Sequence, residues 1–354
     1  MPTANKTVLW WGRFDPEYSR NRILRQAFGA LGWQPREFRP SISALGAIEA
    51  ALRCLPTPDL VFVPCFRQRD IAAARRFSRA RGAPLMADPL ISAYDKQVFE
   101  RQKFSEQSPR ARRLLRWERS LLQSADSVLA DTPTHARFFS ETLGVPESKI
   151  HVVPVGAEEA LFTPAPHPPN DPIEVLFFGS FLALQGPEVI IDAARRYRGP
   201  RVRWCLVGKG PLLAECQRQA QGLAQVGFET WVPYAELPRR VQRADILLGV
   251  FGATPKAMRV IPNKIYQALA CGKPVITCSA PAYPEGLLRS ENSGIAWVRS
   301  DDPEALAAAV AALAAQSQRL AALGARAGST YEKYFSTEIV KHELHTALSG
   351  MGIK

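Results

Sequence analysis

A chain of 354 residues, 46% apolar and 22% charged, has room for about two domains at the usual ~150 residues each and enough apolar side chains to fill their cores. That balance excludes a disordered chain, and no apolar run approaches the roughly 18 residues of a membrane-crossing helix. The net charge of +12 calls for anionic partners, whether nucleotide phosphates, lipid headgroups or nucleic acid.

Short β-rich apolar runs alternate with helical stretches along the whole chain, the pattern of doubly wound parallel sheets in an α/β fold. Val8–Trp11 reads as the first strand and is too short to be the core of a signal peptide, so a cytoplasmic protein is expected. Gly12 at its end allows close backbone approach to a ligand, and Arg13, Arg20, Asn21 and Arg22 follow as candidate phosphate or acceptor contacts. Strands are predicted at Leu60–Val63, Pro84–Ala87, Ser127–Ala130 and His151–Val155. Between them, Arg67–Arg81 and Arg101–Arg119 are basic amphipathic helical stretches, which fit either an anionic membrane surface or one covered face of a sheet. Asp88 and Asp95 come just after the fourth predicted strand, and a carboxylate there could stabilise positive charge or orient a hydroxyl; a turn-capping role before Pro89 is the simpler alternative for Asp88.

The run Thr163–Pro172 holds five prolines and reads as a semi-rigid connector, the clearest domain boundary. It divides the chain into 1–163, the linker 164–172, a second domain 173–330 and a C-terminal helical segment 331–354. Strands follow at Glu174–Phe178, Val202–Val207, Ile246–Val250, Val275–Thr277 and Ile295–Val298. From Phe251 to Thr277 a strand end leads through a loop with Lys256 and Arg259 to Pro262, Asn263 and Lys264 at a helix start, and Gly272 stops that helix. A helix N-terminus ringed by cations, beyond the carboxyl end of a parallel strand, is a ready phosphate site. Asp302 is expected to cap an alanine-rich helix, and helical patterns then run to Tyr334 and to nearly the end.

Six cysteines at 54, 65, 205, 216, 271 and 278 form no CxxC pair and read as reduced structural thiols. His342 and His345 share a helix face without a third ligand, so no metal is expected. No GxGxxG, GxxxxGK[ST] or GxSxG is present, which weighs against dehydrogenase, P-loop and ordinary hydrolase chemistry.

The segment NKIYQALACGKPVIT from Asn263 resembles the donor-site helix and strand of glycosyltransferase family 4, retaining sugar-nucleotide enzymes of GT-B fold. Phe177–Phe181 with Gln185-Gly186, Leu206–Pro211, and Tyr234–Pro238 through Asp245 match in the same order. The resemblance implies two Rossmann-like domains facing a cleft, with the last helices crossing back to the first domain. It implies a donor site at Gly12, Gly179, Ser180, Phe181, Gln185, Gly208, Lys209, Lys256, Arg259, Pro262, Asn263, Lys264 and Gln267. Two departures stand out. Ser180 and Gln185 occupy places where the family usually carries an Arg and a Lys for the diphosphate, and Arg259 and Gln267 fall where it commonly has two glutamates. The implied activity is transfer of a sugar from a nucleotide diphosphate to an acceptor hydroxyl with retention, without cofactor or essential metal, on a carbohydrate or lipid-linked acceptor of the cell envelope. Asp88, then Asp95, are the implied catalytic carboxylates. A nucleotide-sugar epimerase and a non-catalytic nucleotide-sugar binder are the alternatives. Nucleic acid is disfavoured, because no aromatic-and-basic RNA module is visible.

Overall fold

The computed structural model describes residues 6–101, 103–165 and 168–353. The chain divides into two compact units, Met1–Val155 with Thr337–Lys354, and Gly156–Ser336. The division falls before the proline-rich run, whose Asn170 is tied to the second unit through Asp245 (backbone N to Oδ1 3.2 Å, Nδ2 to Oδ2 2.8 Å).

The first unit holds β1 (Thr7–Trp11), β2 (Gln34–Phe38), β3 (Leu60–Val63), β4 (Leu85–Ala87), β5 (Ser127–Ala130) and β6 (Ile150–Val152). All pair in parallel in the order β2-β1-β3-β4-β5-β6. The continuous apolar runs arise because a parallel sheet is buried on both faces. Alternate residues of β1 go to opposite sides: Val8 and Trp10 pack with Ile23, Phe28 and Leu344, while Leu9 and Trp11 pack with Phe77 and Leu122. Helices Ser19–Ala30 and Thr337–Gly350 therefore cover one face, and Ile71–Arg81 and Pro109–Ser124 the other.

The second unit repeats the design with β7 (Ile173–Ser180), β8 (Val202–Lys209), β9 (Val226–Glu229), β10 (Ile246–Leu248), β11 (Val275–Cys278) and β12 (Ile295–Val298). Their order is β12-β11-β10-β7-β8-β9, again all parallel. One face is filled by Phe177, Trp204, Leu206 and Leu248 against helices Pro187–Arg196 and Pro303–Ala314. Asp302 caps the latter as expected, its Oδ1 accepting from Ala305 N at 2.8 Å.

Ten strands match predicted ones and two were not foreseen. Both newcomers are edge strands, β2 reading QPREF with four exposed residues and β9 reading VGFE with none buried, so neither shows an apolar run. Three predicted strands are shorter, β4 starting after Pro84, β6 ending before Pro154 and β10 before Gly249. No single helix among the described residues is long and apolar enough to cross a membrane.

Candidate functional site

In open parallel sheets, ligands lie beyond the carboxyl ends of the strands where the strand order reverses. In the second unit that point lies between β7 and β10. The backbone there is drawn together by glycine. Gly208 has φ +150°, and a Cβ on it would stand 1.9 Å from Gly179 O. Gly186 has φ +65°, and a Cβ on it would meet Gly252 N at 2.6 Å. Only glycine permits such approach, and the result is a shelf of closely packed backbone, with Gly186, Gly208 and Gly252 buried and Gly179 half-buried.

Helix Asn263–Ala270 points its first turn at this region. Pro262 is its N-cap, with extended ψ of 150°; Ile265 N donates to Pro262 O at 2.9 Å, and among the described residues no side chain caps the turn, which leaves the Asn263 and Lys264 N–H groups facing the sheet edge. Lys264 turns inward from that turn. Its Nζ donates to Gly249 O at 3.3 Å, lies 3.6 Å from the Phe177 ring centroid, and stands 3.2 Å from where a Gly179 Cβ would be. Burial holds this ammonium well below the usual lysine range. A second polar group is under-used beside it, since Gln185 Oε1 is buried without a hydrogen-bond partner among the described residues. Lys264 thus brings its amine to the Gly179–Gln185 turn, the place where the resemblance calls for a cation and the turn itself supplies none.

Ser180 and Lys209 are exposed at the ends of β7 and β8, and Arg259, Pro262 and Asn263 are half-buried. Gln267 is buried on the same helix, and Lys256 is buried too rather than displayed on the loop. Phe181 departs from expectation. It is fully buried, its ring 5.8 Å from Phe177 and 6.3 Å from Phe228, so it anchors the turn and presents nothing to a ligand.

In the first unit the strand order reverses between β1 and β3, and a polar cluster fills that edge. Arg20 is fully buried, its Nε 2.9 Å from Asp88 Oδ2 and its Nη1 donating to Val153 O at 2.8 Å and Pro154 O at 2.7 Å. Asp88 is equally buried; burial pushes its carboxyl up and Arg20 pulls it back. Arg20 and Asp88, expected as an acceptor contact and a catalytic carboxylate, are thus placed as each other's buried counter-charge, and neither is displayed at the surface. Asn21 is also internal, its Nδ2 donating to Asp15 O at 2.7 Å and its Oδ1 accepting from Cys65 Sγ at 3.2 Å. Gly12 keeps its positive φ of +130°, but a Cβ there would meet Arg67 Nε and Asp70 Oδ2, each at 3.1 Å, so a protein ion pair fills the space expected for a ligand. Arg22 pairs with Glu17 at 3.0 Å, and Arg13 alone of the four acceptor-side candidates is exposed, donating to Ser41 O.

Asp95 is fully buried in the segment after β4. That segment is fixed by a residue the sequence did not single out. Glu118 accepts from Ser92 Oγ (2.7 Å), Ala93 N (2.6 Å) and Tyr94 N (2.8 Å). Tyr18, Asp131 and His135 were also missed at this edge. His135 Nδ1 meets Asp131 Oδ1, while its Nε2 is buried without a hydrogen-bond partner among the described residues, and burial raises the Tyr18 hydroxyl. Phe66 and Leu90, with φ of +64° and +54°, mark strained backbone beyond β3 and β4. Only the DTPTH run after β5 hinted at the His135–Asp131 pair, through Thr132 as a helix cap that accepts from His135 N at 3.1 Å.

For a metal, the described residues offer one cluster, Glu174, Cys205 and Glu229, with ligand atoms within 4.8 Å of one another. Arg240 already occupies both carboxylates, 2.7 Å from Glu174 and 2.9 Å from Glu229, so the cluster is a partly buried charge network. All six cysteines are free thiols.

Residues 11–156 match a family model described as a glycosyl transferase 4-like domain, and residues 172–316 match one described as glycosyl transferases group 1. The chain belongs to the family 4-like glycosyltransferases. A D-inositol 3-phosphate glycosyltransferase of Segniliparus rotundus is 29% identical over 241 residues, 62% of this chain and 51% of that one. The chain spans about half the length of the curated relatives it matches. Among solved structures, Anabaena Alr3699/HepE in complex with UDP superposes with a TM-score of 0.71 at 16% identity, covering 97% of this chain and 99% of that one. Sucrose-phosphate synthase from Thermosynechococcus elongatus gives 0.71 at 19% identity, covering 98% and 99%. The two Rossmann-like units are those of the GT-B fold.

Proposed function

We propose that the chain transfers a hexose from a nucleotide diphosphate-sugar to an acceptor hydroxyl with retention at the anomeric carbon. The observation that carries this reading is the switch point of the second unit, where the Lys264 ammonium, the glycine shelf and the uncapped turn at Asn263 converge. Oriented N–H donors and a desolvated cation are what a departing diphosphate needs. The solved relative that holds UDP supports the donor class. In the step, the bond from the anomeric carbon to the diphosphate oxygen breaks and the acceptor oxygen takes its place on the same face. The released phosphate oxygen accepts the acceptor's proton, which fits a site whose two candidate carboxylates are buried. The charges at hand replace a metal, so activity is expected to persist in EDTA. We assign the acceptor to cell-envelope polysaccharide or glycolipid, met at the inner face of the membrane.

Thermal shift against UDP-, GDP-, ADP- and dTDP-sugars tests the donor reading, since a ligand raises apparent stability by mass action. One responder that vanishes in Lys264→Ala supports it, and silence across the panel in a folded sample overturns it. Inverted product overturns retention. Arg259 and Gln267 at the usual glutamate positions favour a second reading, nucleotide-sugar binding without transfer. That reading predicts a thermal responder with no product, while conversion of donor without acceptor would mark an epimerase.

A further inference from the structure

Residues Ser43–Leu52 form a short apolar helix that the sequence analysis passed over. Its inner face is ordinary: Gly46 and Ala50 are buried, and a Cβ on Gly46 would stand 3.0 Å from the Trp11 ring. Its outer face is not. Leu45, Ile48 and Leu52, with Ile42 just before them, are exposed by 48%, 59%, 80% and 56%, where a solvated helix would carry polar residues. Beside this ridge opens a concave surface of about 960 Å³, floored by Ile42, Leu114 and Trp117. Five cations line it, Arg13, Arg69, Lys103, Arg110 and Arg113, and no carboxylate does among the described residues. Apart from Arg13, which donates to Ser41 O, none of these cations has an ion-pair or hydrogen-bond partner among the described residues.

A cationic surface beside an exposed apolar ridge complements one environment in both respects, the headgroup–acyl boundary of an anionic bilayer. We propose that this face of the first unit docks on an anionic lipid membrane, with Ile48 and Leu52 entering the boundary and Arg110 and Arg113 engaging lipid phosphates. The basic helical stretches supply the rim, and the wedge comes from Ser43–Leu52. The proposal deepens the membrane-linked acceptor reading and rests on it for its purpose, but its test needs neither donor nor turnover, so the two can fail separately.

The test is co-sedimentation of the full chain with phosphatidylcholine vesicles, with and without phosphatidylglycerol. Binding is expected only with the anionic lipid, and it should fall as salt rises. Arg110→Ala/Arg113→Ala should weaken it roughly fivefold per cation, at about 1 kcal/mol each near an anionic surface. Ile48→Asp/Leu52→Asp should abolish it, with the circular dichroism spectrum unchanged because both positions are exposed. Absence of wild-type binding, or equal binding by wild type and both variants, overturns the proposal. So does a wild-type dimer that Ile48→Asp/Leu52→Asp dissociates, which would make the ridge a contact between copies. Should a variant misfold, salt-independent wild-type binding is the overturning result.

Discussion

Removing Asp88 should cost the first unit much of its stability, and removing Arg20 with it should restore a good part. Both side chains are fully buried, joined by contacts of 2.9 and 3.4 Å, and Arg20 spends Nη1 on two backbone carbonyls beyond β6. Asp88→Ala leaves a guanidinium buried without counter-charge, at a cost of about 3–5 kcal/mol. In Arg20→Met/Asp88→Ala the charge is gone and the two carbonyls lose a donor, a penalty of about 1–3 kcal/mol. The double variant should therefore be more stable than the single one, the signature of direct coupling. With a urea m-value of about 2 kcal/mol/M, the single variant's midpoint should fall by roughly 2 M and the double variant's by about 1 M. Tryptophan fluorescence is a suitable probe, because Trp10 and Trp11 are buried on opposite faces of β1. A double variant no more stable than Asp88→Ala would refute the coupling. An unchanged midpoint with abolished turnover would show that Asp88 serves the reaction directly.

Lys264→Met should weaken a nucleoside diphosphate by about 10- to 150-fold, the worth of a charge-assisted hydrogen bond of about 1.5–3 kcal/mol, as read by calorimetry. The same variant should leave the ligand-free Tm unchanged or raised, since the lost group is a buried cation with one hydrogen bond. Because the folded-state pKa of Lys264 lies below its unfolded value, the unfolded chain holds the extra proton between the two. Its contribution to ligand-free stability should thus rise with pH from the folded pKa towards about 10.4, and Lys264→Met should flatten that slope in urea titrations. Gly208→Ala should yield little soluble protein, because its Cβ would stand 1.9 Å from a backbone oxygen at φ +150°; normal yield and Tm would contradict the glycine argument.

The fold was legible where side chains are buried on both faces of a strand. LVFV, SVLA and VITC are buried throughout because the parallel sheet leaves no wet face. QPREF and VGFE escaped notice because edge strands are held by backbone pairing, which leaves no mark on composition. At the donor edge, the glycines and Lys264 could be found from their positions after strands, but not that Lys264 reaches back under the shelf. The pairing of Arg20 with Asp88 stayed hidden for a related reason. They stand 68 positions apart, and nothing local reveals that each is the other's counter-charge. The Ser43–Leu52 ridge was invisible because a helix apolar on both faces has no amphipathic period to detect.

Helix Asn263–Ala270 is held at its far end by backbone: Gly272 follows it at φ +62°, and a Cβ on Gly324 would stand 2.2 Å from Gly272 O. Tyr266, one turn in, meets Phe335 edge-on at 5.0 Å, and Phe335 directly precedes Ser336, where the chain leaves the second unit. The helix is therefore a strut about 12 Å long, its far end locked by backbone against Gly324 and its first turn seated, through Tyr266, beside the covalent exit. Whatever grips its first turn also loads the peptide that leads into Thr337, so occupancy at the sheet edge should be readable as slowed amide exchange around Phe335, far along the chain from any ligand contact.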